Sequence, residues 1–265
     1  MKKVFKTAIL ALIVLLAFSS CRKSDESSKE NADLLTTVEE RGKLYIGTEG
    51  TWAPWTYHDE SNALVGFDVE VATRIAEIMG LEPVFYESEW DGLFAGLNSG
   101  RYDIVANGVE VTEERAQAYD FSEPYAYINT VIIVRDDNDD IKSFEDLDGK
   151  TTANTLASTY SLLAESYGAK ATGVDSLADT ILLVEQGRVD ATLNADVSFF
   201  DYMKVHTDAP LKIVAETDTP SKVSIPVRKG EPEFLEVIDD AIAQLRESGE
   251  LREISIKYFG SDVTE

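Results

Sequence analysis

The sequence predicts an α/β protein of two similar lobes, joined by two crossover segments, with a ligand cleft between them. Three observations carry this. Short apolar strands alternate with amphipathic helices, the pattern of layered structure around a largely parallel sheet. One supersecondary order occurs twice: Gly100-Arg101-Tyr102-Asp103 runs into a strand ending at Asn107, and Gly187-Arg188-Val189-Asp190 into one ending at Asn194. Two extended, β-branched runs, Tyr125–Arg135 and Val223–Val227, are placed to pass from one body to the other.

The first 20 residues read as a leader. Lys2, Lys3 and Lys6 precede an apolar run of 11 residues from Ala8 to Phe18, too short to span a bilayer and suited to a signal peptide. Ser19 and Ser20 then meet Cys21, the only cysteine of the chain. This junction resembles the lipobox of bacterial lipoproteins, with Phe18 in place of the usual leucine, so residues 1–20 are expected to be a lipoprotein signal peptide and Cys21 the lipidated residue. Residues 21–33 are polar, rich in Ser, Glu and Lys, and read as a tether. The folded part is then extracytoplasmic and anchored to the membrane through Cys21, and one cysteine permits no internal disulfide.

Leu44–Thr48 reads as a strand, and Gly50–Asn62 as an irregular aromatic loop. Asp68 is expected to cap a helix with Ala72, Ile75, Ala76 and Met79 on its inner stripe and Gly80 past its end. Leu81–Tyr86 returns as a strand, and Trp90–Asn98 as a helix. Asp103–Ala106 is a buried strand, and Thr112 caps a helix whose first turn holds Glu113, Glu114 and Arg115. In the second lobe Thr151–Thr155 repeats the first strand, and Ser158-Thr159 cap a helix with amide groups suited to an anion. Pro226 points to an edge strand, and helices over Phe234–Leu245 and Leu251–Phe259 complete the first lobe. The expected division is residues 34–126 plus 223–265 for lobe 1 and 127–222 for lobe 2.

With Lys+Arg 24 against Asp+Glu 49, the net charge is −25, which opposes nucleic acid and anionic membrane surfaces as partners but permits a small ligand in a local pocket. His58 and His206 lack neighbours at metal-ligand spacing, so neither metal nor cofactor is expected. No G-x-S-x-G, H-E-x-x-H or G-x-G-x-x-G occurs, and Phe144 stands where a phosphate loop ending at Gly149-Lys150-Thr151 needs glycine. What remains is a binding constellation. Arg115 occupies a first helical turn, where the dipole disfavours a cation. It is either a carboxylate binder or a surface partner of Glu113 or Glu114. Trp52, Trp55 and Trp90 all fall in the first lobe.

Glu39-Arg41-Gly42-Lys43, Ile46 to Thr51, Gly66-Phe67-Asp68, Trp90-Asp91-Gly92-Leu93, Asp103 to Arg115, Tyr119 to Tyr125 and Tyr258-Phe259-Gly260 occur in this order. Together they resemble the extracellular solute-binding proteins of polar amino-acid ABC importers. Thr48-Glu49-Gly50-Thr51 and Phe259 to Thr264 look most like the cystine-binding branch. The resemblance implies a two-lobed periplasmic-binding-protein-like fold of type II. It implies capture of an amino acid, cystine or another polar one, by a monomer that hands it to the transmembrane subunits of an ABC permease.

By position, the resemblance gives Arg115 the ligand α-carboxylate, with Ser158 and Thr159 completing that site from the second lobe. Trp90 becomes a wall, Trp52 a lid, and Glu49 a polar group facing the ligand side chain. Asn107 and Gly108 bring backbone close to the ligand, and Tyr160 helps to set specificity. Two residues depart from the pattern. Glu110 replaces a Ser or Thr that contacts the α-ammonium, and Ala195 replaces an aspartate, with Asp196 one residue later. Glu110 or Asp196 is expected to hold the ammonium instead. An enzyme on the same scaffold, of the prephenate-type dehydratase kind, is the competing class, and no acid/base pair is evident for it. A ligand-sensing module is the third.

Overall fold

The structure, a computed structural model, describes residues 33–265. The expected leader, the expected lipidation site Cys21 and all but the last residue of the expected tether lie outside them. Among the described residues no helix is long and apolar enough to cross a membrane.

α1 (Leu34–Arg41), capped by the Asp33 carboxylate, leads into β1 (Lys43–Thr48). The stretch that reads as an irregular loop holds β2 (Thr51–Trp52) and β3 (Thr56–His58), which form a small antiparallel sheet with β4 (Leu64–Val65) just beyond it. Then follow α2 (Phe67–Ile78), β5 (Glu82–Glu87), α3 (Trp90–Asn98), β6 (Ile104–Val105), α4 (Glu113–Ala118), β7 (Tyr119–Phe121) and β8 (Ala126–Ile128). β9 (Thr130–Arg135), β10 (Thr151–Asn154), α5 (Thr159–Ser166), β11 (Lys170–Gly173), α6 (Leu177–Glu185), β12 (Thr192–Ala195), α7 (Asp196–Val205) and β13 (Leu211–Glu216) build the second body. β14 (Ser221–Val223), β15 (Pro226–Arg228), α8 (Pro232–Glu247) and α9 (Glu250–Phe259) return to the first.

The two lobes repeat one topology. In the first, the order is β5-β1-β6-β15-β7, with β1 parallel to β5 and β6 and with β15 antiparallel to β6 and β7. In the second, β10 lies parallel to β11, a bridge between Thr152 and Ala191 joins it to the approach to β12, and β9 runs antiparallel between β12 and β13. The antiparallel member of each sheet is the strand that has just crossed over. The crossings themselves pair: β8 and β14 form a two-stranded ribbon with Ser221 opposite Ile128 and Val223 opposite Ala126.

The repeated motif has a physical role. Each helix of the pair, α3 and α6, is followed by a glycine at positive φ, Gly100 at 72° and Gly187 at 63°, where a Cβ would be strained. The aspartate three residues later turns back to the first strand of its sheet: Asp103 accepts from the Tyr45 amide at 2.8 Å and Asp190 from the Thr151 amide at 2.7 Å. The pattern therefore registers the third strand on the first in both lobes.

Two expectations need correction. Asp68 does not cap α2: Gly66 holds the cap position, and Asp68, fully buried, accepts from the Tyr125 hydroxyl at 2.9 Å and from the Gly108 amide. Buried donors need an acceptor more than a helix end exposed to water does. Pro226 does not lie on an edge, since β15 sits between β6 and β7. It is tolerated because it is the first residue of the strand, and β6 engages only Val227.

Candidate ligand cleft

The ends of β1, β6, β10 and β12 converge on one cavity of about 600 Å³ including its mouth, lined from both lobes. Its place at strand ends suits a small polar ligand. Glu49, Trp52, Trp90, Gly108, Glu110 and Arg115 line it from the first lobe, and Ser158, Thr159 and Tyr160 from the second. Trp90 and Leu177, which open the equivalent helices α3 and α6, both reach it.

Arg115 sits on α4, held by the Thr112 cap, whose hydroxyl accepts from the Arg115 amide at 3.1 Å. Its guanidinium lies over Trp90, 5.1 Å from the ring centroid, and Phe94, 5.5 Å away, and Nη1 donates to the Glu110 carbonyl at 2.9 Å. Its contacts are therefore not with Glu113 or Glu114. Burial pulls its pKa below the usual arginine value, against the opposing pull of Glu110.

Glu110 is buried on a segment that runs beside the crossing strand: it bridges to Val223, and its neighbours bond to Lys222 and Ser224. Its carboxylate accepts from the Thr159 hydroxyl, which links the lobes across the cleft. Ser158 caps α5, accepting from the Ser161 amide at 3.1 Å.

Trp52 stacks on Trp55 at 5.4 Å and meets Tyr160 edge to face at 6.3 Å, so aromatic rings also bridge the lobes. Trp55 is wholly buried and donates to Ser198 Oγ at 3.0 Å, a second hydrogen bond between the lobes. The Tyr160 hydroxyl and Trp52 Nε1 have no partner. The nearby Ala195 amide donates to Asn194 Oδ1 at 2.9 Å, which leaves the Tyr160 hydroxyl without it. Burial, reinforced by Glu110 and Asp196, holds the Tyr160 pKa well above the usual phenol range.

Gly108 has a φ of 56°, and a Cβ there would lie 2.6 Å from the Trp52 ring. No other residue fits this approach without shifting the tryptophan.

Two expected residues lie behind the cavity rather than on it. Asn107 is fully buried: its Oδ1 accepts from the Glu49 amide at 2.8 Å, and its Nδ2 donates to Glu49 Oε2 at 2.5 Å. Asp196 opens α7 and turns its carboxylate to the Val197 amide at 2.8 Å. Several lining residues escape the sequence reading, among them Asn154, Asp175, Thr180 and Asn194. The repeated strand ends were the signal for Asn154 and Asn194. Asp175 carries no motif, and only the packing brings it to the first lobe.

Glu49 is strongly perturbed as well. Burial pushes its pKa up to about 7, Asp175 and Asp91 add to this, and the Asn107 hydrogen bond and the Trp90 amide oppose it. Among the described residues no group of three or more metal-ligating side chains occurs. His58 instead meets Glu87 at 3.4 Å, and His206 stacks on Tyr202.

Two repeated α/β lobes, a paired crossover ribbon and a polar cleft at the strand ends define a binding protein that encloses a small solute. Residues 44–261 match the bacterial extracellular solute-binding proteins, family 3, and the chain belongs to that family. The L-cystine-binding protein TcyA of Bacillus subtilis is 42% identical over 267 residues, covering 98% of this chain and 99% of the relative. An ancestral arginine-binding protein bound to arginine superposes with a TM-score of 0.78 at 38% identity, over 83% of this chain and 99% of that one. The L-cystine solute receptor of Neisseria gonorrhoeae, in an unliganded open conformation, gives 0.61 at 39% identity, over 86% of this chain and 99% of that one. Family members bind amino-acid ligands and work with ABC permeases, and the similar proteins are binders rather than enzymes.

Proposed function

We propose that this protein captures an amino acid and delivers it to an ABC permease while anchored through a lipid on Cys21. The observation that carries the reading is the pairing, in one cavity, of a half-buried arginine on the first lobe with a capped helix end on the second. Arg115 retains donors for a carboxylate, and Ser158 and Thr159 stand at the start of α5, where an anion is favoured. Glu110, between them, takes the α-ammonium and exchanges its Thr159 partner for the ligand. Glu110 lines the cavity whereas Asp196 does not, which favours Glu110 for this role.

Lobe 1 comprises residues 34–126 and 223–265, lobe 2 residues 127–222, and the β8–β14 ribbon is the hinge between them. Contacts available from both lobes only on closure make ligand binding and closure the same event. The closed monomer is the form presented to the permease. The similarity to cystine-binding proteins supports cystine as a ligand, and the similarity to arginine-binding ones supports arginine.

The test is a thermal-shift panel of amino acids followed by calorimetric titration, with recovery of the bound molecule. A bound amino acid raises stability by mass action and returns unchanged. No shift with any amino acid, or conversion of the ligand to a product, overturns the reading. Full affinity in Glu110→Gln together with its loss in Asp196→Asn would reverse the ammonium assignment. Labelling of Cys21 by lipid in whole cells, lost in Cys21→Ala, tests the anchor.

A further inference from the structure

Gly108 and Glu110 line the cleft on a segment that lies between β6 and α4 and is tied to the crossovers. The second crossing holds it by backbone: the Val111 amide donates to the Lys222 carbonyl at 2.9 Å, and the Ser224 amide to the Val109 carbonyl at 3.0 Å. The first crossing reaches it through a side chain. Tyr125, the residue before β8, donates its hydroxyl to Asp68 Oδ1 at 2.9 Å, while Asp68 Oδ2 accepts from the Gly108 amide. Asp68 is 1% exposed and Tyr125 wholly buried, so neither donor has water to turn to.

The same residue holds the aromatic turn of the first lobe. At the start of α2 the Asp68 amide donates to the Trp55 carbonyl at 3.0 Å and the Phe67 amide to the Pro54 carbonyl at 2.9 Å, while the Trp55 amide donates to the Trp52 carbonyl at 3.0 Å. Both tryptophans pack onto Gly108, where a Cβ would lie 2.6 Å from the Trp52 ring and 3.3 Å from the Trp55 ring. The backbone of Asp68 thus holds the turn, and its side chain holds the glycine on which that turn rests. A carboxylate offers an acceptor oxygen to each donor, which no apolar residue of its size can do. Its burial is costly: desolvation pushes its pKa up to about 7, against the opposing pull of the Gly108 amide and the Tyr125 hydroxyl.

We propose that Asp68 is a positioning residue for ligand binding, one that fixes the Gly108 amide, and with it the Trp52 ring, relative to the root of the first crossover. Asp68 lies behind the cavity wall rather than on it, so it acts through Gly108 and Trp52 and touches no ligand. Without its acceptor the Gly108 amide is left unpaired in the interior, and the segment shifts to find another partner. Trp52 then loses the surface that sets its place in the cleft. The effect on affinity rests on the amino-acid reading, whereas the placement of Gly108 and Trp52 does not.

The experiment compares the full chain with Asp68→Ala, Asp68→Asn and Tyr125→Phe by two measurements. The first is nuclear magnetic resonance of ligand-free protein carrying ¹⁵N in glycine and tryptophan, with the Gly108 amide identified by its absence from Gly108→Ala and the Trp52 indole by its absence from Trp52→Phe. Both signals should move in Asp68→Ala, and the Trp52 indole should return to its native position in Asp68→Asn, which keeps an acceptor for Gly108. The second is calorimetric titration with arginine, cystine or another amino acid that stabilises the native chain. The Kd should rise at least about tenfold in Asp68→Ala and about threefold in Tyr125→Phe at unchanged stoichiometry, and stay within about threefold in Asp68→Asn. A merely structural role predicts fewer binding-competent molecules, with the Kd and the Trp52 signal of the folded fraction unchanged, and that result overturns the proposal. If Asp68→Ala does not fold, Tyr125→Phe decides: a native Kd with a native Trp52 signal overturns it. If no amino acid binds the native chain, the amino-acid reading fails, and a Trp52 signal unmoved in the variants overturns the positioning role separately.

Discussion

Replacing Arg115 by alanine should separate binding from folding. The guanidinium is buried against Trp90 and Phe94 and gives one hydrogen bond to the Glu110 carbonyl, and burial outweighs Glu110 in moving its pKa downward. The folded chain thus carries a partly desolvated cation whose charge is poorly compensated. Alanine removes two cation–π contacts worth about 0.5–1 kcal/mol each and a hydrogen bond worth about 1 kcal/mol. It also removes a desolvation cost that amounts to several kcal/mol for a buried ion. These oppose, so the stability of the ligand-free protein should change by no more than about 1 kcal/mol, with either sign. Affinity should behave differently. Losing one partner of a buried charge pair costs about 2–5 kcal/mol, a fall of about 30- to 5000-fold in binding. Calorimetric titration with arginine and cystine reads the affinity, and urea unfolding without ligand reads the stability. Near-native binding, or a stability loss large enough to account for the binding loss, would refute the role given to this residue.

Four further outcomes are expected. Gly108→Ala should lower both stability and affinity, by about 1–3 kcal/mol in stability, because its Cβ would meet the Trp52 ring at 2.6 Å in a left-handed backbone; unfolding and titration check it. Burial pushes the Asp68 pKa from an ordinary 3.8 up to about 7, so folding favours its protonated form. Its contribution to stability is present below the ordinary value and is lost as pH rises towards 7, by about 4 kcal/mol, and Asp68→Asn should remove that slope from urea unfolding followed against pH. The pKa of Glu49, raised by burial, Asp175 and Asp91 and opposed by Asn107 and the Trp90 amide, lies at about 7, with Glu110 and Arg115 the other charged groups lining its cavity. A ligand group that pairs with the Glu49 carboxylate must displace that proton, so affinity for arginine, read by calorimetric titration, should fall about fivefold between pH 7 and pH 6. Thr159→Val removes the hydroxyl that spans to Glu110 and should weaken amino-acid binding about threefold to tenfold with little change in unfolding, a loss of about 1 kcal/mol.

Much of this molecule is legible in the chain because its signals are local. The glycine that ends each repeated helix and the aspartate that turns back to the first strand lie within four residues of one another, so the echo at Gly100 and Gly187 reveals two like lobes before any contact is known. Thr112 and Ser158 declare their helix starts by the same locality, and both accept the expected amide. Arg115 is conspicuous because a helix dipole disfavours it where it stands. The two-lobed fold is therefore legible in the chain from such local signals. Tertiary structure decided what depends on partners far along the chain. Asp68 looks like a cap until Tyr125 and Gly108 offer buried donors, and Pro226 looks like an edge until its strand enters between β6 and β7. Glu49 looks like one acid among many until burial, Asn107 and Asp175 close around it. Local chemistry writes itself into neighbouring residues, whereas desolvation and charge opposition exist only after the chain has brought distant groups together.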